Sequence, residues 1–143
     1  MNIAIGTDHR GFMHKEFIKK HVTASIKWFD VGTHSTDRTD YPLYADKVIE
    51  LMSTRIVMCG VLICASGGGM AIAANRYKNI YAVVAWNDEV AKLCKVEDNA
   101  NVLVLPADFI SCENAVRMVD IWLTQEFKGG RYAERIAMID KKK

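Results

Sequence analysis

Short apolar runs alternate with amphipathic stretches along the whole chain. Asn2–Gly6, Ile26–Val31, the apolar part of Ile56–Cys64, Tyr81–Trp86 and Asn101–Leu105 are compact blocks rich in Ile, Val and Leu, and each predicts a strand. Between them the apolar positions recur at helical spacing. Phe12–Val22 predicts a helix with Met13, Phe17, Ile18 and Val22 on one side. Pro42 suits the first turn of a second helix, which buries Tyr44, Val48, Leu51 and Met52. Met70–Arg76, Glu89–Val96, Ser111–Phe127 and Tyr132–Asp140 predict four more. Strands that are apolar throughout, separated by helices, fit a parallel sheet covered on both faces. The expectation is an α/β fold: a single three-layer α/β/α domain over residues 1–143 with a five-stranded parallel sheet.

Composition narrows the function classes. The 143 residues suffice for one domain with a core; half are apolar, a quarter charged, and the net charge is +2. The basic residues are scattered apart from Lys141-Lys142-Lys143, so nucleic acid is not an expected partner. No apolar run is long enough to span a bilayer, and no secretory signal opens the chain, so the expected location is cytoplasmic with no membrane partner. Cys59, Cys64, Cys94 and Cys112 form no C-x-x-C pair and read as reduced thiols, with neither a metal site nor a disulfide.

In open parallel sheets ligands bind beyond the carboxyl ends of the strands. The first strand is followed by Gly6-Thr7-Asp8-His9-Arg10-Gly11, which places an acid, an imidazole and a cation between two glycines. The third is followed by Cys64-Ala65-Ser66-Gly67-Gly68-Gly69-Met70. Successive glycines let backbone N–H groups approach an anion, and the next helix adds the positive end of its dipole. A thiol there feels that field, which favours the thiolate. Read alone, Cys64 is either a buried structural thiol or a reactive one. Tyr41, before Pro42, either reaches a ligand hydroxyl or belongs to a solvated loop. Glu97-Asp98-Asn99-Ala100-Asn101 either binds hydroxyls or caps a strand entry. Arg131 and Arg135, four apart at a helix start, form either a phosphate clamp or a solvated basic face.

Taken in order, Gly6-Thr7-Asp8-His9, Asp40-Tyr41-Pro42, Cys64-Ala65-Ser66-Gly67-Gly68-Gly69 with Ala73-Ala74-Asn75, Asn99-Ala100-Asn101-Val102, and Gly129-Gly130-Arg131 with Arg135 resemble the ribose/galactose isomerase family, in particular its B-type ribose-5-phosphate isomerases. The resemblance runs over essentially the whole chain. It implies a Rossmann-like domain and a homodimer or dimer of dimers with active sites at the interface. It also implies interconversion of ribose 5-phosphate and ribulose 5-phosphate in the pentose phosphate pathway, with no metal or organic cofactor. Cys64 corresponds to the base that moves a proton between C2 and C1. Some members use a glutamate where this chain has Met70. Ser66 and the backbone of Gly67, Gly68 and Gly69, with Ala65 beside them, correspond to the anion hole for the enediolate. Asp8 and Tyr41 line the sugar. His9, Arg131 and Arg135 correspond to phosphate ligands, the arginines coming from the partner subunit.

Two positions depart from the family pattern. Glu97-Asp98-Asn99 stands where the family has His-Asn-Asp, whose histidine is assigned to ring opening. Ring opening then falls to Asp8, to Glu97 with a raised pKa, or to the open-chain sugar already in solution, while Asp98 and Asn99 bind substrate. Asp108 stands where many members carry a phosphate-binding arginine, which leaves His9, Arg131 and Arg135 as the clamp. The alternatives are an isomerase of hexose 6-phosphates such as allose or galactose 6-phosphate, or a sugar-phosphate-binding domain without catalysis.

Overall fold

A computed structural model describes residues 1–142; Lys143, the last of the basic tail, lies outside the described residues. The strands are β1 (Asn2–Thr7), β2 (Lys27–Asp30), β3 (Cys59–Cys64), β4 (Ala82–Val84) and β5 (Val102–Pro106). A 3₁₀ turn, His9–Gly11, leads into α1 (Phe12–His21). The other helices are α2 (Tyr41–Ser53), α3 (Gly68–Ala74), α4 (Asp88–Val96), α5 (Cys112–Thr124) and α6 (Arg131–Asp140).

All strand pairs are parallel, in the order β2-β1-β3-β5-β4. The chain runs outward from β1 to β2, then returns past β1 to build β3. The crevice between β1 and β3 is therefore the switch point, where neighbouring loops diverge and leave room for a ligand. The loops after these two strands are the Asp8 turn and the Cys64 loop. Thr7 ties them together: its Oγ1 donates to Ile63 O at 2.8 Å.

Side chains alternate across the sheet, and both faces are apolar. Ile3, Ile5, Val61, Ile63, Leu103 and Leu105 face one layer, against Ile18 of α1, Cys94 of α4 and Met118 and Trp122 of α5. Ala4, Leu62, Cys64, Val102 and Val104 face the other, against Tyr44, Val48 and Ile49 of α2 and Met70 and Ala74 of α3. Covering both faces removes the polar half of the strand alternation, so the strands read as apolar throughout.

Several local expectations are corrected. Met13 is 63% exposed rather than on the buried side of α1. Lys15 is fully buried in its place, because Asp30 at the end of β2 supplies a counter-charge, with Nζ 2.8 and 2.7 Å from the two carboxylate oxygens. On α2, Ala45 and Ile49 are buried where Leu51 and Met52 were expected, and those two are only half-buried. Strand β4 is three residues long, and Trp86 lies beyond it, 59% exposed. Helix α5 stops at Thr124, because Gln125 is extended at φ −90°, ψ 152°.

Candidate active site

The turn after β1 is built by its own side chains. Asp8 is 5% exposed, and its Oδ1 accepts the Arg10 N–H at 2.9 Å, capping the turn. His9 is half-buried, and the Thr39 backbone holds its Nδ1, 3.2 Å from the carbonyl and 3.3 Å from the N–H. That leaves Nε2 for a ligand. Thr39 is fixed in turn by a 2.8 Å hydroxyl contact with Tyr44. Sequence reasoning missed Thr39 and Tyr44 as supports, since only the fold brings residues 30 apart into contact.

Cys64 ends β3, with its carbonyl bound to the Ala107 N–H at 2.9 Å and the next carbonyl, Ala65, to the Asp108 N–H at 3.0 Å. The loop is thereby pinned to the end of β5. Burial pushes the Cys64 thiol up. The backbone N–H groups of Met70, Gly67 and Ser66 point at the sulfur and oppose that shift, while the negative charge of Asp8 adds to it. The loop's N–H groups favour the thiolate as expected, yet the net pKa lies above the ordinary thiol value. The N–H cradle is present, but the loss of water around the sulfur outweighs it.

Gly67 sits at φ +79°, a left-handed position that opens α3. The Ser66 hydroxyl is exposed and accepts the Gly68 N–H at 3.4 Å. Tyr41, the first residue of α2, lays its ring against Gly69. Met70 is fully buried against the inner core and offers no group that takes a proton. Asp8, His9, Tyr41, Cys64, Ala65, Ser66, Gly67, Gly68 and Gly69 thus gather at one end of the sheet.

Glu97, Asp98, Asn99, Arg131 and Arg135 do not join them within the chain. Glu97, Asp98 and Asn99 follow α4 and precede β5, so they lie beyond the amino ends of the strands. Cys64 is in register with Pro106 at the carboxyl end of β5. The length of β5 alone separates the two ends by about 13 Å. At the far end, Tyr132 is buried and donates its hydroxyl proton to Glu97 Oε1 at 2.8 Å. Arg131 Nη2 donates to that hydroxyl at 3.2 Å, and the Arg131 and Arg135 guanidinium groups lie 5.1 and 5.8 Å from the Tyr132 ring centre. A groove of about 400 Å³ opens beside them, lined by Glu97, Asp98, Tyr132 and Arg135 with apolar residues of β4 and α6. Asp108 is paired with Arg10 at 2.6 Å. Among the described residues no cluster of His, Cys, Asp and Glu is placed to hold a metal ion, and no helix is long and apolar enough to cross a membrane.

Known proteins share this fold and much of this sequence. Over 96% of its length the chain is 39% identical to ribose-5-phosphate isomerase B of Escherichia coli (strain K12), covering 93% of that protein. The crystal structure of a ribose 5-phosphate isomerase from Thermotoga maritima superposes with a TM-score of 0.94 at 41% identity, covering 98% of this chain and 97% of the other. Ribose-5-phosphate isomerase B from Mycoplasma genitalium, solved with bound ribulose-5-phosphate, superposes with a TM-score of 0.92 at 34% identity over 99% of this chain and 95% of that one. The family model for ribose/galactose isomerase matches residues 3–139. With both loops of the β1–β3 crevice inside that match, the chain belongs to the ribose/galactose isomerase family.

Proposed function

We propose that the protein interconverts ribose 5-phosphate and ribulose 5-phosphate, with Cys64 moving the proton between C2 and C1. The observation that carries the cysteine step is the environment of Sγ: a buried sulfur faced by three backbone N–H groups, with a methionine at the neighbouring buried position. The Cys64 thiolate takes the C2 proton of the open-chain aldose. The C2 electron pair forms the C1–C2 double bond, and the C1 carbonyl becomes an oxyanion. The resulting enediolate is held by the Ser66–Gly69 backbone and the Ser66 hydroxyl. The thiol then returns its proton to C1, the O2 hydroxyl proton passes to the C1 oxygen and the C2 oxygen becomes the carbonyl, so no oxidant or reductant is needed. His9 Nε2 is a donor for the phosphate, Tyr41 and Asp8 border the sugar, and the Asp8 carboxylate is the base on the same side that takes the anomeric hydroxyl proton in ring opening. The four free thiols suit a reducing, cytoplasmic setting in pentose phosphate metabolism.

The second half of the site belongs to a second copy. A dianionic phosphate calls for more than one cationic partner, and Arg131 and Arg135 lie at the far end of the same sheet. A symmetric dimer brings the far end of each chain to the Cys64 end of the other and builds two equal sites from shared halves. Glu97, Asp98 and Asn99 would enter the partner's site with the arginines.

Two assays test this reading. Cys64→Ala should lower kcat by about 10²–10⁴-fold, the usual range for losing a general base, and abolish proton exchange at C2 in deuterated water. Near wild-type turnover would refute the base. Cys64→Ala and Arg131→Ala/Arg135→Ala chains, each inactive alone, should regain about a quarter of wild-type activity when refolded together, since about half the dimers are mixed and each mixed dimer has one intact site. No recovery would refute the shared site. A panel of pentose and hexose phosphates fixes the substrate length.

A further inference from the structure

The turn after β1 holds a cation that the mechanism above leaves unused. Arg10 follows Asp8 and His9 directly, and its backbone N–H is fixed on Asp8 Oδ1. Its guanidinium reaches the end of β5, where Nη2 lies 2.6 Å from Asp108 Oδ2. Asp108 is itself held to the Cys64 loop by its N–H on Ala65 O at 3.0 Å. The pair therefore ties the turn that carries His9 to the end of β5, which is itself bonded to the Cys64 loop. Both side chains stay open to solvent, at 53% and 36% exposure. A guanidinium has five N–H donors in a rigid fork, and Asp108 takes only part of it.

We propose that Arg10 is a phosphate-binding and selectivity residue of this site, and that Asp108 tunes it. The inference rests on the sugar-phosphate reading given above. An unpaired Asp108 carboxylate beside the turn that carries His9 would repel a phosphate dianion. The Arg10 charge cancels that repulsion, and its remaining N–H donors are open to solvent one residue from His9. The pair is then a set point: Arg10 attracts the phosphate, and Asp108 restrains the attraction so that product leaves.

The proposal makes predictions of opposite sign for the two partners, which a purely structural clip does not. KM for ribose 5-phosphate and the inhibition constant of inorganic phosphate are measured for wild type, Arg10→Met, Arg10→Lys, Asp108→Asn and Asp108→Ala, at low and high salt, with melting temperatures as a check on folding. Arg10→Met should raise both constants about tenfold, with a larger effect on KM than on kcat. Arg10→Lys should raise them about threefold, because the charge remains and the fork is lost. Both Asp108 substitutions should lower the two constants about threefold. High salt should shrink all of these differences. If the Arg10 and Asp108 substitutions raise KM alike, or leave both constants unmoved, the inference is overturned while the function stands. If wild type turns over no ribose 5-phosphate, the function itself fails and the inference with it.

Discussion

Gly67, Gly68 and Gly69 follow one another after Ser66, yet an added methyl group meets a different environment at each. At Gly67 the backbone is left-handed, φ +79°, and a Cβ would stand 2.9 Å from Val84 Cγ1. The left-handed conformation costs a residue with a Cβ about 1–2 kcal/mol. Crowding a half-buried valine adds about 1–2 kcal/mol. Gly67→Ala should therefore lose about 2–4 kcal/mol, which lowers Tm by roughly 6–12 °C in a domain of this size. At Gly68 the nearest atom to an added Cβ is Ser66 Oγ at 3.6 Å, ordinary contact, and Gly68→Ala should melt within about 2 °C of wild type. At Gly69 the Cβ would stand 2.5 Å from Tyr41 Cζ and 2.8 Å from its hydroxyl oxygen. Tyr41 is 38% exposed, so its ring can swing away at little cost to stability. What is lost is the placement of Tyr41 over the loop. Gly69→Ala should keep its Tm within about 2 °C but lose roughly tenfold or more in kcat/KM, the scale of one lost substrate hydrogen bond. Thermal unfolding followed by circular dichroism and a coupled isomerase assay separate the three variants. The reasoning fails if Gly69→Ala melts as low as Gly67→Ala, or if Gly69→Ala retains full kcat/KM.

Two further outcomes follow from charge and burial. In the proposed mechanism the working form of Cys64 is the thiolate, and burial raises its pKa, so the rising limb of kcat/KM against pH should lie alkaline of an ordinary cysteine, about 8.5; a limb below pH 7 would contradict the buried-thiol picture. Burial alone would raise the Asp30 carboxyl, but hydrogen bonds from Lys15, Lys19 and the Gly32 N–H outweigh it and leave its pKa depressed. Its contribution to stability is then complete above the unfolded value of about 4 and is lost as pH falls through the folded pKa. Asp30→Asn strips a fully buried Lys15 of its main counter-charge and should cost about 3 kcal/mol near neutral pH, with less of the acid-side loss that wild type shows; equal denaturant midpoints at pH 7 would refute it.

The parallel sheet was legible because its strands are apolar on both faces, and the crevice loops because glycines and reactive side chains follow β1 and β3 directly. Three features were not legible, each for a physical reason. Lys15 breaks the apolar side of α1, and nothing local reveals that Asp30, across a loop, neutralises it. Thr39 and Tyr44 steady His9 through a contact made only when α2 packs beside β1. Glu97 is grouped with Cys64 when the sequence is read for chemistry alone, although it precedes β5. Only the parallel topology separates them: residues after a strand lie at one end of the sheet and residues before it at the other. The register of Cys64 with Pro106 fixes Cys64 at the carboxyl end.

The chemistry proposed for Cys64 turns on two opposed effects in one small volume. Burial makes the thiolate scarce at neutral pH, and it also makes that thiolate a stronger base toward a carbon-bound proton. The N–H groups of Ser66, Gly67 and Met70 limit the scarcity by facing the charged sulfur. In the proposed transfer from C2 to sulfur, the thiol becomes neutral and the negative charge moves to the enediolate oxygens. The donors that held the thiolate are then free to turn to the new anion, so a single cradle serves the charge before and after the transfer. Such a site needs little reorganisation, because its dipoles are already aligned for an anion. It also needs the sulfur and the loop to keep their relative position. The bonds from Ala107 and Asp108 to the Cys64 and Ala65 carbonyls hold that position by fastening the loop to the end of β5.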